Sequence, residues 1–138
     1  MNKKRLIDIA KSLVDQTSKK RCHHFSFIIK NSRIISIGQN SRKTHPANLI
    51  NRKISPKTGV DFSDEKHTCS EFNAILKLRN LTNINTKKCN LVNIRLNKKN
   101  SIDYAKPCMS CENLLKYFEF KNVYWSDSNG DLVSAKLL

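Results

Sequence analysis

His67-Thr68-Cys69-Ser70-Glu71-Phe72-Asn73-Ala74 runs into an apolar-periodic segment, and Pro107-Cys108-Met109-Ser110-Cys111 opens a second one 39 residues after Cys69. Each motif puts sulfur at the start of an expected helix, where the macrodipole and free N–H groups favour a thiolate over a thiol. Cys108 and Cys111 stand at i and i+3, so both sulfurs fall on one helical face. Three thiolates from two helix starts, Cys69, Cys108 and Cys111, suit a tetrahedral zinc ion whose fourth position stays free. An open position is the mark of a catalytic zinc. Glu71, two residues after Cys69, brings a carboxylate beside that metal without making it a ligand. A closed structural cage that adds Cys89 competes with this reading. So does a redox Cys-x-x-Cys pair, which leaves Cys69 and Glu71 without a role.

Working outward, Lys3 to Lys20 reads as an amphipathic helix with Leu6, Ile7, Ile9, Ala10, Leu13 and Val14 in one stripe. Phe25–Lys30 and Arg33–Ile37 are β-like runs joined by the hairpin-type turn Asn31-Ser32, and Gly38 closes the second run. Residues 39–66 are aperiodic, carry Pro46, Pro56 and Gly59, and form a long loop of the kind that often serves function. Ser70–Leu81 is helical, with Phe72, Ile75, Leu76 and Leu78 inward. Asn90–Leu96 is a strand, 97–106 a polar loop, and a helix runs from Pro107 to about Phe120 with Leu114, Leu115 and Phe118 inward. Asn122–Ser126 is a strand, Asp127-Ser128-Asn129-Gly130 a turn, and Leu132–Lys136 a last strand, the two making a direct antiparallel hairpin. The order α-β-β-α-β-α-β-β implies a layered α/β domain around one sheet. Trp125 and Tyr124 are expected in the core, and Cys22 and Cys89 as small buried hydrophobes. His23 and His24 have weak claims to function.

The chain has 138 residues, 38% of them hydrophobic, which fits one domain spanning 1–138 and excludes bulk disorder. No apolar run approaches the ~20 residues that span a bilayer, and the basic start is interrupted by Asp8 and Lys11, unlike a secretory signal. Five cysteines without such a signal point to a reducing, cytoplasmic setting and no membrane partner. Lys and Arg total 26 against 11 Asp and Glu, a formal charge of +15. The 19 Lys, 16 Asn and 13 Ile are also what A+T-rich coding produces. The distribution says more than the total. From Gln16 to Val60 there are ten basic residues and no acidic one, a segment suited to phosphate or nucleic acid.

The Cys-x-Glu and Pro-Cys-x-x-Cys motifs resemble the signature of the zinc-dependent cytidine/deoxycytidylate deaminase superfamily. The element order extends the resemblance over nearly the whole chain. Gly38-Gln39-Asn40 is similar to the family's Gly-x-Asn, whose Asn contacts the substrate sugar. Glu71-Phe72-Asn73-Ala74-Ile75 is similar to the Glu-x-Asn-Ala-Ile of deoxycytidylate-type members. The resemblance implies a three-layer α/β/α fold: one mixed five-stranded sheet with helices on both faces. It implies Zn2+ held by Cys69, Cys108 and Cys111, hydrolytic conversion of cytosine to uracil, and Glu71 as the catalytic proton carrier. Asn40, Ser70 and His45 are the candidate substrate contacts, His45 from its place in the basic loop. Self-association is implied too, since the small deaminases are commonly dimers or tetramers.

Two features bear on the substrate class. Cys69 stands where deoxycytidylate-type members usually have His, as in free-cytidine deaminases, and His67 is an alternative ligand. A third thiolate weakens the metal as a Lewis acid, so a compensating positive charge or N–H donor is expected near the sulfurs, with Arg95 and Lys106 as the candidate cations. The direct final hairpin also resembles free-cytidine deaminases. A cytosine-bearing nucleotide or nucleoside is the leading substrate class: the acid-free segment favours a phosphate-bearing substrate over a free nucleoside, and the single aromatic of the 39–66 loop, Phe62, favours a nucleotide over a strand. Single-stranded DNA or RNA is the alternative. A non-catalytic zinc-stabilised module that binds nucleic acid is the reading from another class, and an inactive regulatory relative is a third.

Overall fold

The computed structural model describes residues 2–14, 23–40, 69–81, 85–99, 101–107 and 109–134. Cys22, His45, His67 and Cys108, the loop body, the end of the first expected helix and the end of the last expected strand lie outside these residues.

The elements are α1 (Lys3–Val14), β1 (His23–Lys30), β2 (Arg33–Gln39), α2 (Ser70–Leu81), β3 (Asn90–Leu96), β4 (Ile102–Asp103), α3 (Met109–Tyr117), β5 (Asn122–Ser126) and β6 (Leu132–Ser134). The main path through the sheet is β2-β1-β3-β5-β6, and the two-residue β4 pairs with β3. β3 and β5 are parallel, while β1–β2, β1–β3, β3–β4 and β5–β6 are antiparallel. The sheet is therefore mixed, as expected, with β4 added where a polar loop was expected.

Side-chain alternation along β1 and β3 explains the layers. Phe25, Phe27 and Ile29 with Val92, Ile94 and Leu96 meet Leu6, Ala10 and Val14 of α1 on one face. Ile28 and Leu91 meet Phe72, Ile75 and Leu78 of α2 and Leu114 and Leu115 of α3 on the other. Helices thus cover both faces of the sheet. β3 is the central strand, and Leu91 through Ile94 are all buried because both its faces are covered. Cys89 and Trp125 are buried, as expected, and Tyr124 is half-buried against the α1-side core.

Two element ends differ from the sequence reading, and the expected final turn shows its own geometry. β2 continues through Gly38 to Gln39 rather than stopping. A side chain at Gly38 would run into the Ser70 carbonyl oxygen and the Ala74 nitrogen, so this glycine is where the strand meets the backbone of α2. α3 ends at Tyr117, three residues early, and Glu119 turns the chain with φ +54°. In the final hairpin the Asp127 carboxylate accepts from Asn129 and Asp131 N–H, both at 2.9 Å, and Gly130 takes φ +85°.

Candidate active site

Register builds the site floor. Ser26 pairs with Gly38 on β2 and with Asn93 on β3, and Asn93 pairs with Trp125 on β5. This row crosses four strands beneath the start of α2. Because Gly38 has no side chain, α2 settles close, and its first turn comes down onto Ser26, which in turn meets Asn93. Cys69 caps α2, its carbonyl accepting from Asn73 N–H at 3.1 Å. Its sulfur therefore belongs to a helix N-terminus, the setting that favours a thiolate. Glu71, in the first turn, gains from the same dipole.

Glu71 is only 6% exposed. Its Oε1 accepts from Ser70 Oγ at 2.8 Å and lies 3.3 Å from Ser26 Oγ. Ser26 Oγ is in turn 2.8 Å from Ser70 Oγ and 2.6 Å from the Asn93 amide. A buried carboxylate without such donors would lose far more in desolvation than it gains.

A cavity of about 240 Å³ opens beside this cluster, lined among others by His24, Asn40, Cys69, Glu71, Asn93 and Lys106. Asn40 is pinned at both ends of its residue. Its Oδ1 accepts from His24 N–H at 3.0 Å, and its own N–H donates to the His24 carbonyl at 3.2 Å. The amide nitrogen is the end left to meet a ligand. Asn73, of the Glu-x-Asn motif, donates to the Gln39 carbonyl at 2.6 Å and so fixes the strand end that carries Asn40. The opposite wall is Ala105-Lys106-Pro107. It is tied to β5 by Ala105 N–H to the Ser126 carbonyl at 2.8 Å and by Ser126 Oγ to the Asp103 carbonyl at 2.7 Å.

Of the expected site residues, Cys69, Ser70, Glu71 and Asn40 converge on this cavity. Cys111 is buried in the first turn of α3, and α2 and α3 touch. Among the described residues no three His, Cys, Asp or Glu side chains gather as a metal group. The third thiolate expected for that group, Cys108, lies outside them, as does His45. Of the two cations considered as charge compensators, Lys106 lines the cavity, with Nζ 5.8 Å above the Trp125 ring and 3.7 Å from Glu112 Oε1. Arg95 pairs with His24 and Asp103 along β3.

Sequence reading passed over Ser26 and Asn93 and undervalued His24. A signal for the first two was present: each is one polar residue inside a buried apolar run, Phe25-Ser26-Phe27 and Val92-Asn93-Ile94. His24 has its imidazole held below the ordinary histidine value, first by burial, then by the Arg95 charge, then by His23.

A mixed sheet that opens with a hairpin and carries two cysteine-bearing helix starts on one face defines the fold of the cytidine and deoxycytidylate deaminases. This chain has that fold. It is similar to a cytidine deaminase from Burkholderia pseudomallei, with TM-score 0.62, 13% identity, and 99% of this chain and 94% of that one covered. It is similar also to a dCMP deaminase from the cyanophage S-TIM5, with TM-score 0.55, 15% identity, and 93% and 85% covered. The same cyanophage enzyme in complex with dCMP and dUMP matches at TM-score 0.55 and 13% identity, over 91% and 81% of the two chains. No protein-family model and no curated protein matches the sequence. No helix among the described residues is long and apolar enough to cross a membrane.

Proposed function

We propose that the protein is a zinc-dependent hydrolase that deaminates cytosine to uracil in a nucleotide or nucleoside. The observation that carries this reading is Glu71: a buried carboxylate on the first turn of α2, two residues from Cys69, facing a cavity with Asn40 on its rim. The donor set fits the metal. Cys69 at one helix start and Cys111 at the next are soft ligands, and Cys108 completes three thiolates with room for one more ligand. When bound, zinc supplies the Lewis acidity that brings the pKa of water towards neutrality.

The remaining work falls to the chain. Glu71 accepts the proton of the attacking water and passes it to ring N3 and then to the departing amino group. Its burial keeps bulk water from competing for that proton. Asn40, with Oδ1 taken by His24, offers its amide N–H to the sugar. Lys106 places a cation at the cavity wall that offsets charge on the thiolates. The neutral imidazole of His24 is a polar contact without charge on the side of the cavity that carries Asn40.

Two features favour a small substrate over a strand: the antiparallel β5–β6 hairpin and the basic 39–66 loop with its lone aromatic, Phe62. The test is turnover of dCMP, cytidine and a cytosine-containing single strand by the zinc-loaded protein, assayed side by side. Uracil formation from dCMP or cytidine is expected. Activity confined to the strand overturns the small-substrate choice. No turnover, with steeply salt-dependent nucleic-acid binding, favours a non-catalytic module.

A further inference from the structure

Ser26 and Asn93 are buried polar residues that no motif explains. They stand opposite each other in the β1–β3 pair, 67 residues apart in sequence; Asn93 meets Ser26, and Ser26 meets Ser70 and Glu71 in the first turn of α2. Four contacts knit the cluster: Asn93 to Ser26 at 2.6 Å, Ser26 to Ser70 at 2.8 Å, Ser70 to Glu71 at 2.8 Å and Ser26 to Glu71 at 3.3 Å. Two serine hydroxyls supply two protons. With Asn93 Oδ1 turned to Ser26, the four contacts have only those two protons between them, and at least one of the three short ones is oxygen against oxygen with none. A half-turn of the Asn93 amide exchanges Oδ1 for Nδ2 and removes the conflict. Nδ2–H then donates to Ser26, Ser26 O–H to Ser70, and Ser70 O–H to Glu71. The contact left without a proton is the longest of the four.

We propose that Asn93, Ser26 and Ser70 form a one-directional hydrogen-bond chain that ends on Glu71 Oε1 and aims Oε2 into the cavity. Ser26 and Asn93 are positioning residues, and Glu71 remains the catalytic one. Every hydroxyl in such a chain is polarised by the next, so the donor reaching the carboxylate is stronger than an isolated serine. Neither end of the chain rests on solvent: Ser26, Ser70 and Asn93 are each at least 96% buried. The kinetic consequence rests on the deaminase reading. The hydrogen-bond direction does not.

Two measurements test it. In protein labelled with 15N at asparagine, the Asn93 side-chain hydrogens are expected to exchange with water at least about tenfold more slowly than in Ser26→Ala. Equal exchange rates overturn the chain, and this readout holds for protein of any activity. In steady-state kinetics, Ser26→Ala is expected to lower kcat about 10- to 100-fold with KM within about twofold, as misaimed rather than missing chemistry does. Ser26→Thr, which restores the hydroxyl, is expected to recover most of it. Asn93→Asp separates the direction. It keeps shape and acceptor but loses the donor, and is expected to cost at least as much kcat as Ser26→Ala. Wild-type kcat in Asn93→Asp overturns the proposal, including where Ser26→Ala fails to fold. Failure of the wild type to turn over any cytosine substrate sinks the deaminase reading, and amide exchange alone then decides the chain.

Discussion

Glu71 and His24 face one cavity with opposite electrostatic arrangements. Glu71 is a buried carboxylate held by the Ser70 hydroxyl and a helix N-terminus. His24 is a half-buried imidazole beside the Arg95 charge, with its pKa lowered. For His24 the folded value lies below the unfolded value, ordinarily about 6.5, so the unfolded chain takes up the proton first as pH falls. Its contribution to stability is complete above that value and is lost as pH falls through it towards the lowered folded value. Urea midpoints at pH 7.5 and 5.0 check this. His24→Gln is expected to show a smaller drop than the wild type, and an equal drop contradicts the assignment. Residue type and local spacing were enough to single out Cys69 and Glu71, two apart, and the structure brings both to one cavity. Ser26 and Asn93 gave no such signal, because what brings them together beneath Glu71 is a cross-strand register that no local spacing records.

Among the elements, the contact between β2 and α2 decides whether a site exists. Gly38 lies against Ser70 and Ala74, with 2.8 Å from a would-be Cβ to the Ala74 Cβ, and two of its three neighbours are helix backbone that cannot rotate away. Gly38→Ala is expected to cost about 1–3 kcal/mol in denaturant unfolding and to reduce kcat, since α2 must lift from the Ser26–Asn93 row. Wild-type stability and kcat contradict this close approach. Strong periodicity made α2 and β3 readable to the residue. Their neighbours were less so. Gly38 looked like a terminator because strand interiors disfavour glycine, whereas here the helix above requires it. β4 has only two residues, too few for a period to appear, and is recognisable only through its pairing with Arg95 and Leu96. α3 ends on a left-handed glutamate rather than a glycine, so its stop carries no sequence signal.

At the scale of the molecule, one mixed sheet separates an α1 layer from the α2–α3 layer, and the chemistry sits where the second layer meets the strand row. Fold class was legible because alternating helices and strands leave few ways to cover a sheet. The +15 charge was less informative, because the acid-free segment falls largely outside the described residues. The metal makes its own prediction. Purified protein is expected to hold about one zinc per chain, Cys111→Ser to hold markedly less, and chelation to lower the melting temperature. Full zinc content in Cys111→Ser contradicts the ligand set. The most direct test of the central claim is ammonia release from dCMP or cytidine by the zinc-loaded wild type and by Glu71→Ala. The account expects turnover by the wild type and a loss of at least about 100-fold in kcat in the variant, with zinc content unchanged. Near wild-type deamination by Glu71→Ala would contradict it.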